Sequence, residues 1–134
     1  MTGIAEGAEH REVMIDKVDR AMFVRYAGAS GDFNPIHWNE EFAKSAGYPT
    51  VFAQGMFTAG VLATFLTNWV GEDAVRRFRT RFVGQVWPGE SITCSAHVRR
   101  VYDDDGERRA DCELHVINGK GEEKINGDAT ILVS

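Results

Sequence analysis

The segment from Gly55 to Val70, GMFTAGVLATFLTNWV, narrows the possible folds more than any other part of the chain. Its apolar side chains surround the helix axis instead of following one stripe, and a helix of this kind is buried on most sides. Ala59, Gly60 and Ala63 would let a sheet approach closely. Because glycine in a helix interior costs roughly 1 kcal/mol relative to alanine, Gly60 indicates a packing requirement. We therefore predict a long central helix that other elements cover.

The second half of the chain changes to a period of two, which is typical of strands. The predicted strands are RFRTRFVGQV (77–86), SITCSAHVRRVY (91–102), RADCELHVIN (109–118) and EKINGDATILVS (123–134). Turn residues separate them, including WPGE (87–90), an Asp-Gly pair at 105–106 and NGKG (118–121). Helices followed by an antiparallel meander indicate an α+β fold, in which we expect the sheet to wrap around the central helix.

The polar segment at residues 1–12 is expected to be loose. The rest of the first half is predicted to be helical. Asp19 is a plausible N-cap for a helix that runs to about Ala29. Asn39 can cap a second, short helix that Gly47 ends. A length of 134 residues fits one domain, and nothing resembles a linker or an internal repeat.

Charge and composition exclude several classes of protein. A net charge of −5 argues against nucleic-acid binding, and the apolar stretch at 55–70 is too short to cross a membrane. The N-terminus lacks the features of a signal peptide. Cys94 and Cys112 lack a CxxC spacing, which favours two reduced core cysteines. We therefore expect a cytoplasmic protein.

The loop between the two predicted N-terminal helices, SGDFNPIH at 30–37, holds the main candidate for acid/base chemistry. Asp32 and His37 could transfer protons, and Pro35 stiffens the chain and keeps Asn34 extended. The same residue types also form ordinary turns, and on spacing alone the turn is the simpler interpretation. A metal site formed by Asp32, Asn34 and His37 is a less favoured interpretation still, because no fourth ligand candidate lies nearby.

Gly55 and a group of arginines are further candidates. Gly55 would place a free N–H at the positive end of the central helix, where it can stabilise an oxyanion, or it simply permits a tight turn into the helix. The arginines at 76, 77, 79, 81, 99, 100, 108 and 109 concentrate positive charge on the predicted strands. They could bind phosphate groups or form a solvated strand face. His97 and His115 are more simply satisfied sheet residues.

The segment YAGASGDFNPIHWNEEFAKSAGY, residues 26–48, resembles the signature of the MaoC-like hydratases and dehydratases. The pattern runs from an aromatic residue through small residues to Gly-Asp-x-Asn-Pro-aliphatic-His, with a small residue after a short helix. QGMFTAG followed by NWVG is similar to the next block. The family includes (R)-specific enoyl-CoA hydratases and (3R)-hydroxyacyl-ACP dehydratase subunits of actinobacterial fatty-acid elongation, and the resemblance covers about Val13 to Val133.

The resemblance implies one hot-dog domain over residues 1–134, with an antiparallel sheet wrapped around a long helix. It implies a homodimer, or a heterodimer with a homologous hot-dog subunit, and no cofactor or metal. Asp32 and His37 become the catalytic dyad, Asn34 shapes or binds in the site, and the Gly55 N–H serves as the oxyanion donor. The family often has His where this chain has Gln54, which can hydrogen-bond but not titrate, so local packing and substrate preference stay open.

The implied reaction is reversible hydration of trans-2-enoyl thioesters, or dehydration of (3R)-hydroxyacyl thioesters, carried by coenzyme A or an acyl carrier protein. Provisionally, Asp32 activates water, while His37 orients the water and delivers a proton to C2, with reversed directions in dehydration. Two alternatives stay open: a hot-dog acyl thioesterase, and a subunit of a heteromeric dehydratase that needs a partner chain.

Overall fold

The computed structural model describes residues 4–134. Within these residues, three helices and five strands form an α+β fold, as predicted. The helices are α1 (Arg20–Ser30), α2 (Glu40–Ser45) and α3 (Gly55–Val70), and the strands are β1 (Glu9–Ile15), β2 (Val75–Phe82), β3 (Ile92–Asp104), β4 (Glu107–Ile117) and β5 (Glu123–Leu132). Short 3-10 turns cover Pro35–His37 and Glu72–Ala74.

Side-chain caps set the starts of the first two helices where the sequence predicted them. Asp19 accepts a hydrogen bond from the Met22 N–H at 3.0 Å, at the start of α1. Asn39 does the same for the Phe42 N–H at 3.1 Å, at the start of α2. These bonds satisfy backbone donors that the first turn of a helix leaves unpaired. The Asn39 cap lies where the loop that carries the predicted dyad ends.

All strand pairs in the sheet are antiparallel, and the strand order is β1-β3-β4-β5-β2. Asp105 and Gly106 both have positive φ, 51° and 73°, which confirms the predicted Asp-Gly hairpin between β3 and β4. The expectation of a meander in simple chain order is wrong for β2, which pairs with β5 at the edge. The connection from β2 to β3 closes no hairpin, because β4 and β5 lie between the two strands. Within it, the Val86 carbonyl accepts from the Ala53 N–H and the Gly89 N–H donates to the Val18 carbonyl.

The expectation of a loose N-terminal segment over residues 1–12 is wrong for residues 9–12. They lie in β1, which pairs with β3 from Glu9 opposite His97 to Ile15 opposite Ile92. The His10 ring stacks 5.2 Å from the rings of both Phe65 and Trp69, so a polar residue supplies part of the inward face. Residues 1–3 lie outside the described part of the chain.

Helix α3 is the central helix that the sequence predicted, but it is not covered on all sides, because the face with Met56, Thr64 and Asn68 is exposed. Its buried side chains form one core with the sheet. Leu62, Phe65 and Leu66 are among its fully buried members. Gly60 is the exception: it is exposed, and a Cβ there would meet nothing within 4 Å, so the predicted close approach of the sheet at this residue is wrong. Cys94 and Cys112 are free and buried, as predicted. Within residues 4–134, no helix is long and apolar enough to cross a bilayer.

Candidate active site

The loop after α1 is held by hydrogen bonds between its own residues. The Ser30 hydroxyl accepts from the Asp32 N–H at 3.1 Å, and Asp32 Oδ1 accepts from the Asn34 N–H at 3.3 Å. Asn34 Oδ1 then accepts from the Ile36 N–H at 3.3 Å, which caps the short 3-10 turn. Successive bonds of this type are how Ser, Asp and Asn build turns. The carboxamide oxygen of Asn34 therefore shapes the loop.

His37 is buried, and a backbone carbonyl fixes its ring. Its Nδ1 lies 2.7 Å from the carbonyl oxygen of Phe52. Because a carbonyl can only accept, the hydrogen must be on Nδ1, and the neutral ring carries its lone pair on Nε2. The Phe52 ring also packs edge-on against the imidazole, at 5.2 Å between centroids. His37 is thus held in one orientation and one tautomer.

The structure brings Asp32 and His37 together, as the motif predicted. Asp32 Oδ2 lies 3.8 Å from His37 Nε2, and the Asp32 side chain is 47% exposed. That separation is too long for a direct hydrogen bond. It suits a water molecule that hydrogen-bonds to both atoms at once. The pair can therefore share one water between a buried nitrogen and a carboxylate open to solvent.

Gly55 begins α3 and is exposed. No side chain caps this end of the helix, and within residues 4–134 the Gly55 N–H donates no hydrogen bond. Free N–H groups at a helix N-terminus carry partial positive charge and bind anionic oxygens. Gly55 thus has the properties of the predicted oxyanion donor.

A cleft of about 380 Å³ opens between the start of α3 and the end of β2. It is lined by Phe52, Ala53, Gly55, Thr58, residues 82–86, Lys124 and Ile125. The Phe82 ring covers the start of the helix, since a Cβ on Gly55 would lie 3.2 Å from it. Asp32 and His37 do not line this cleft. They connect to it through Phe52, whose carbonyl holds His37.

Gln54 is buried, and its side chain points away from the helix end. Its Nε2 donates to the carbonyl oxygen of Phe23 at 2.9 Å. Its Oε1 is buried with no partner in the part of the chain that the structure describes. The carboxamide thus fastens the start of α3 to α1, while one acceptor stays unpaired.

Lys124 is a buried charged residue in the wall of the cleft that the sequence analysis did not single out. Its Nζ donates to the Gln85 carbonyl at 2.7 Å and lies 3.2 Å from Glu90 Oε1. Burial opposes the charged form of Glu90, but hydrogen bonds from Asn118, the Trp87 N–H and Lys124 outweigh it and lower the pKa of that carboxyl. A lysine on a strand is normally expected at the surface, so the sequence did not predict the buried pair of Lys124 and Glu90.

Most of the strand arginines are neutralised by carboxylates. Arginines 76, 79, 99, 100, 108 and 109 each have a carboxylate oxygen within 4 Å. Arg77 and Arg81 have no ion pair among residues 4–134. This arrangement favours the solvated strand face over a phosphate site. Within the same residues, no group of three metal-ligating side chains is present.

Comparisons with known proteins agree with this geometry. The chain is 46% identical over 71 residues to the 3-hydroxyacyl-thioester dehydratase X of Mycobacterium tuberculosis. The aligned part makes up 52% of this chain and 24% of that relative. This chain thus spans about a quarter of that relative's length.

Two solved structures share the fold at low sequence identity. The (R)-hydratase from A. caviae involved in PHA biosynthesis superposes with a TM-score of 0.86 at 20% identity, over 100% of both chains. A HadBC (3R-hydroxyacyl-ACP dehydratase) complex from Mycobacterium tuberculosis gives 0.75 at 19% identity, over 98% of this chain and 99% of the other. The predicted hot-dog fold is confirmed. Residues 4–119 match the model of the MaoC like domain, and the chain belongs to this family.

Proposed function

We propose that this chain is a hydro-lyase. It adds water to the double bond of trans-2-enoyl thioesters and removes water from (3R)-hydroxyacyl thioesters. The observation that carries the proposal is the 3.8 Å separation of Asp32 Oδ2 and His37 Nε2, with Nδ1 engaged at Phe52. Membership of the MaoC-like family supports the reaction class.

In hydration the water oxygen bonds to C3, one water proton leaves, and one proton arrives at C2. Neutral His37 has a lone pair on Nε2 that can accept a proton. We therefore assign the removal of the water proton to His37, instead of to Asp32 as the sequence analysis provisionally did. Asp32 accepts a hydrogen bond from the other water hydrogen and faces the imidazolium that forms. The proton on Nε2 then goes to C2, on the face to which the water added. Dehydration runs the same transfers in reverse.

Negative charge develops on the thioester oxygen while C2 has carbanion character. The Gly55 N–H at the positive end of α3 is the donor assigned to this oxygen. Such a donor acts mainly in the transition state, where the charge is largest. The proposed chemistry involves only the acyl thioester, so it is the same whether the acyl group is carried by coenzyme A or by an acyl carrier protein.

We further propose that the site works in a dimer, with a second copy of this chain or with a homologous hot-dog subunit. Exposed apolar side chains support this: Phe33, Trp38 and Phe42 lie on or beside the loop, and Met56 and Phe82 lie beside the cleft. Surfaces of this kind are typical of interaction sites. Among residues 4–134, the edge strand β2 also has no strand paired on its outer side.

The test follows the ultraviolet absorbance of the enoyl thioester with crotonyl-CoA and longer enoyl-CoA substrates. We expect Asp32→Asn and His37→Ala to lower kcat by about 10²-fold or more. Asp103→Asn and His97→Ala are matched controls away from the loop, and they should behave like the unaltered chain. Full turnover by both dyad variants contradicts the mechanism.

Two outcomes would select the alternatives. Release of free thiol from acyl-CoA without hydration would identify a thioesterase. An inactive chain whose activity returns with a co-purified homologue would identify a subunit that needs a partner. The native mass of the assembly separates a homodimer from a heterodimer.

A further inference from the structure

Thr58 is a buried residue whose hydroxyl the fold does not use. The residue is 3% exposed and lies in the first turn of α3. Within residues 4–134 its hydroxyl makes no hydrogen bond. The other two threonines of the helix differ, since Thr64 donates to the Gly60 carbonyl at 2.9 Å and Thr67 to the Thr64 carbonyl at 3.2 Å. The Thr58 oxygen is not among the fully buried atoms without a partner, so it is open to the cleft that the residue lines.

Thr58 lies on the same face of α3 as Gly55, three residues further on. Both residues line the cleft at the start of the helix. Helical side chains tilt towards the N-terminus, so the Thr58 side chain leaves the helix towards the end where the Gly55 N–H is free. The two donors therefore belong to the same part of the cleft lining.

The other polar side chains of the cleft do not compete for this role. The ammonium of Lys124 is engaged by the Gln85 carbonyl and Glu90, and Gln85 itself is exposed. Among the buried residues that line the cleft, Thr58 has a hydroxyl donor without a partner in the described part of the chain. An oxygen bound at the Gly55 N–H would meet this hydroxyl next.

We propose that the Thr58 hydroxyl is a second hydrogen-bond donor to the thioester carbonyl oxygen, beside the Gly55 N–H. This inference rests on the proposed hydro-lyase function and adds a catalytic residue to it. As charge moves onto the oxygen, both donors shorten their hydrogen bonds and stabilise the enolate. The same two donors act in dehydration, when C2 loses its proton.

A purely structural role for Thr58 makes a different prediction. A buried water could join its hydroxyl to the unpaired Oε1 of Gln54. Loss of the hydroxyl would then lower the melting temperature without changing the polarisation of a bound thioester. The experiment therefore needs a spectroscopic reading of the carbonyl as well as rates.

The variants are Thr58→Val, which removes the hydroxyl at nearly constant volume, and Thr58→Ser, which keeps it. Thr67→Val is the matched control, because it makes the same substitution on the same helix outside the cleft. Rates are measured with crotonyl-CoA, and polarisation is measured as the red shift of bound 2,4-hexadienoyl-CoA. We expect Thr58→Val to lower kcat about 10-fold to 100-fold and to reduce the red shift, with Thr58→Ser and Thr67→Val close to the unaltered chain.

Activity and red shift of Thr58→Val equal to those of the unaltered chain overturn the inference and leave the proposed function intact. If the unaltered chain hydrates neither crotonyl-CoA nor longer enoyl-CoA substrates, the proposed function fails, and the red shift alone decides on Thr58. A red shift in the unaltered chain that is lost in Thr58→Val supports the second donor. No red shift in the unaltered chain overturns it. If Thr58→Val does not fold, Thr58→Ala is compared with Thr58→Ser in the same assays.

Discussion

His37 Nδ1 lies 2.7 Å from the carbonyl oxygen of Phe52. The Phe52 N–H in turn donates to the Ile36 carbonyl at 3.4 Å. These two bonds join the dyad loop to the segment that reaches Gly55 three residues later. The acid/base pair and the proposed oxyanion donor are thus connected by one short stretch of backbone. Neither of the two bonds involves Gly55 itself, so Gly55 can be substituted without removing either bond.

Gly55→Pro should remove the backbone N–H while preserving the start of α3. Proline is well tolerated at the first position of a helix, and Gln54 already has the extended conformation that precedes proline, with φ −59° and ψ 136°. If the N–H stabilises the thioester oxygen, we expect kcat to fall by about 10² to 10³. Circular dichroism and hydration kinetics measure both parts of this prediction.

Gly55→Ala is the matched control, because it keeps the N–H and adds a methyl group. That group would approach the Phe82 ring at 3.2 Å, at the far end of a half-exposed side chain that can move. We expect a much smaller loss of kcat than in Gly55→Pro. Equal rates in the two variants would show that the N–H has no role.

Asn34 can act through its oxygen or its nitrogen, and two substitutions separate them. Asn34→Ala removes the acceptor that caps the Ile36 N–H, which should cost about 1 kcal/mol of unfolding free energy and lower kcat by misplacing the dyad. Asn34→Asp keeps an acceptor and should retain stability and most of kcat. Chemical denaturation and hydration kinetics provide the measurements.

Asp19→Ala removes a comparable cap from α1 and is the control for Asn34→Ala. It should lower stability without lowering kcat. A stable Asn34→Asp variant that is as inactive as Asn34→Ala would instead indicate that the amide nitrogen contacts the substrate.

Local signals predicted the parts of the fold that depend on neighbouring residues. Asp19 and Asn39 marked helix starts through side-chain caps, and Asp105-Gly106 marked a hairpin through its backbone preference. The polar composition of residues 9–12 concealed β1, because an edge strand needs only main-chain pairing on one side. The position of β2 beside β5 depends on contacts between distant residues, which no local pattern records.

The same distinction holds for the site. The spacing of Asp32 and His37 was visible in the motif, and the structure places them 3.8 Å apart. The bond from His37 to Phe52 was not predictable, because it spans 15 residues and uses a backbone carbonyl. The exposed or buried state of Thr58 and Lys124 also depends on how the sheet closes over α3. The sequence therefore showed which groups could react, and the fold was needed to identify the tautomer.

Cys94 and Cys112 should be inert to thiol reagents in the folded chain. Burial raises the pKa of Cys94 to about 12, and Glu12 adds to this. Burial also raises the pKa of Cys112 to about 11, with Asp111 contributing. The reactive thiolate is therefore scarce at pH 8. We expect negligible labelling of the native chain and two labelled thiols per chain in denaturant.

This inertness also matters for the thioesterase test, since thiol released from acyl-CoA can be measured without a background from the protein. Rapid labelling of the native chain would contradict the burial of both cysteines.

His115 should make stability depend on pH above neutrality. Its Nε2 lies 2.6 Å from Glu113 Oε1, and its Nδ1 contacts Glu123. Burial opposes the charged ring, but the hydrogen bonds to Glu113 and Glu123 outweigh burial and raise the pKa of His115 above 6.5. The folded state therefore binds this proton more tightly than the unfolded state does. The stabilisation is complete below pH 6.5 and is lost as pH rises through the folded pKa.

Chemical denaturation from pH 6 to pH 9 measures this dependence. We expect the unfolding free energy to fall with pH by up to about 1 kcal/mol, because the site is partly exposed, and His115→Gln should flatten that decline. Glu123→Gln should weaken the decline, since one of the two carboxylates remains, and Glu41→Gln on the exposed face of α2 should leave it unchanged. Parallel curves for His115→Gln and the unaltered chain would mean that the two carboxylates do not hold the proton, so the pH dependence would have to come from other groups.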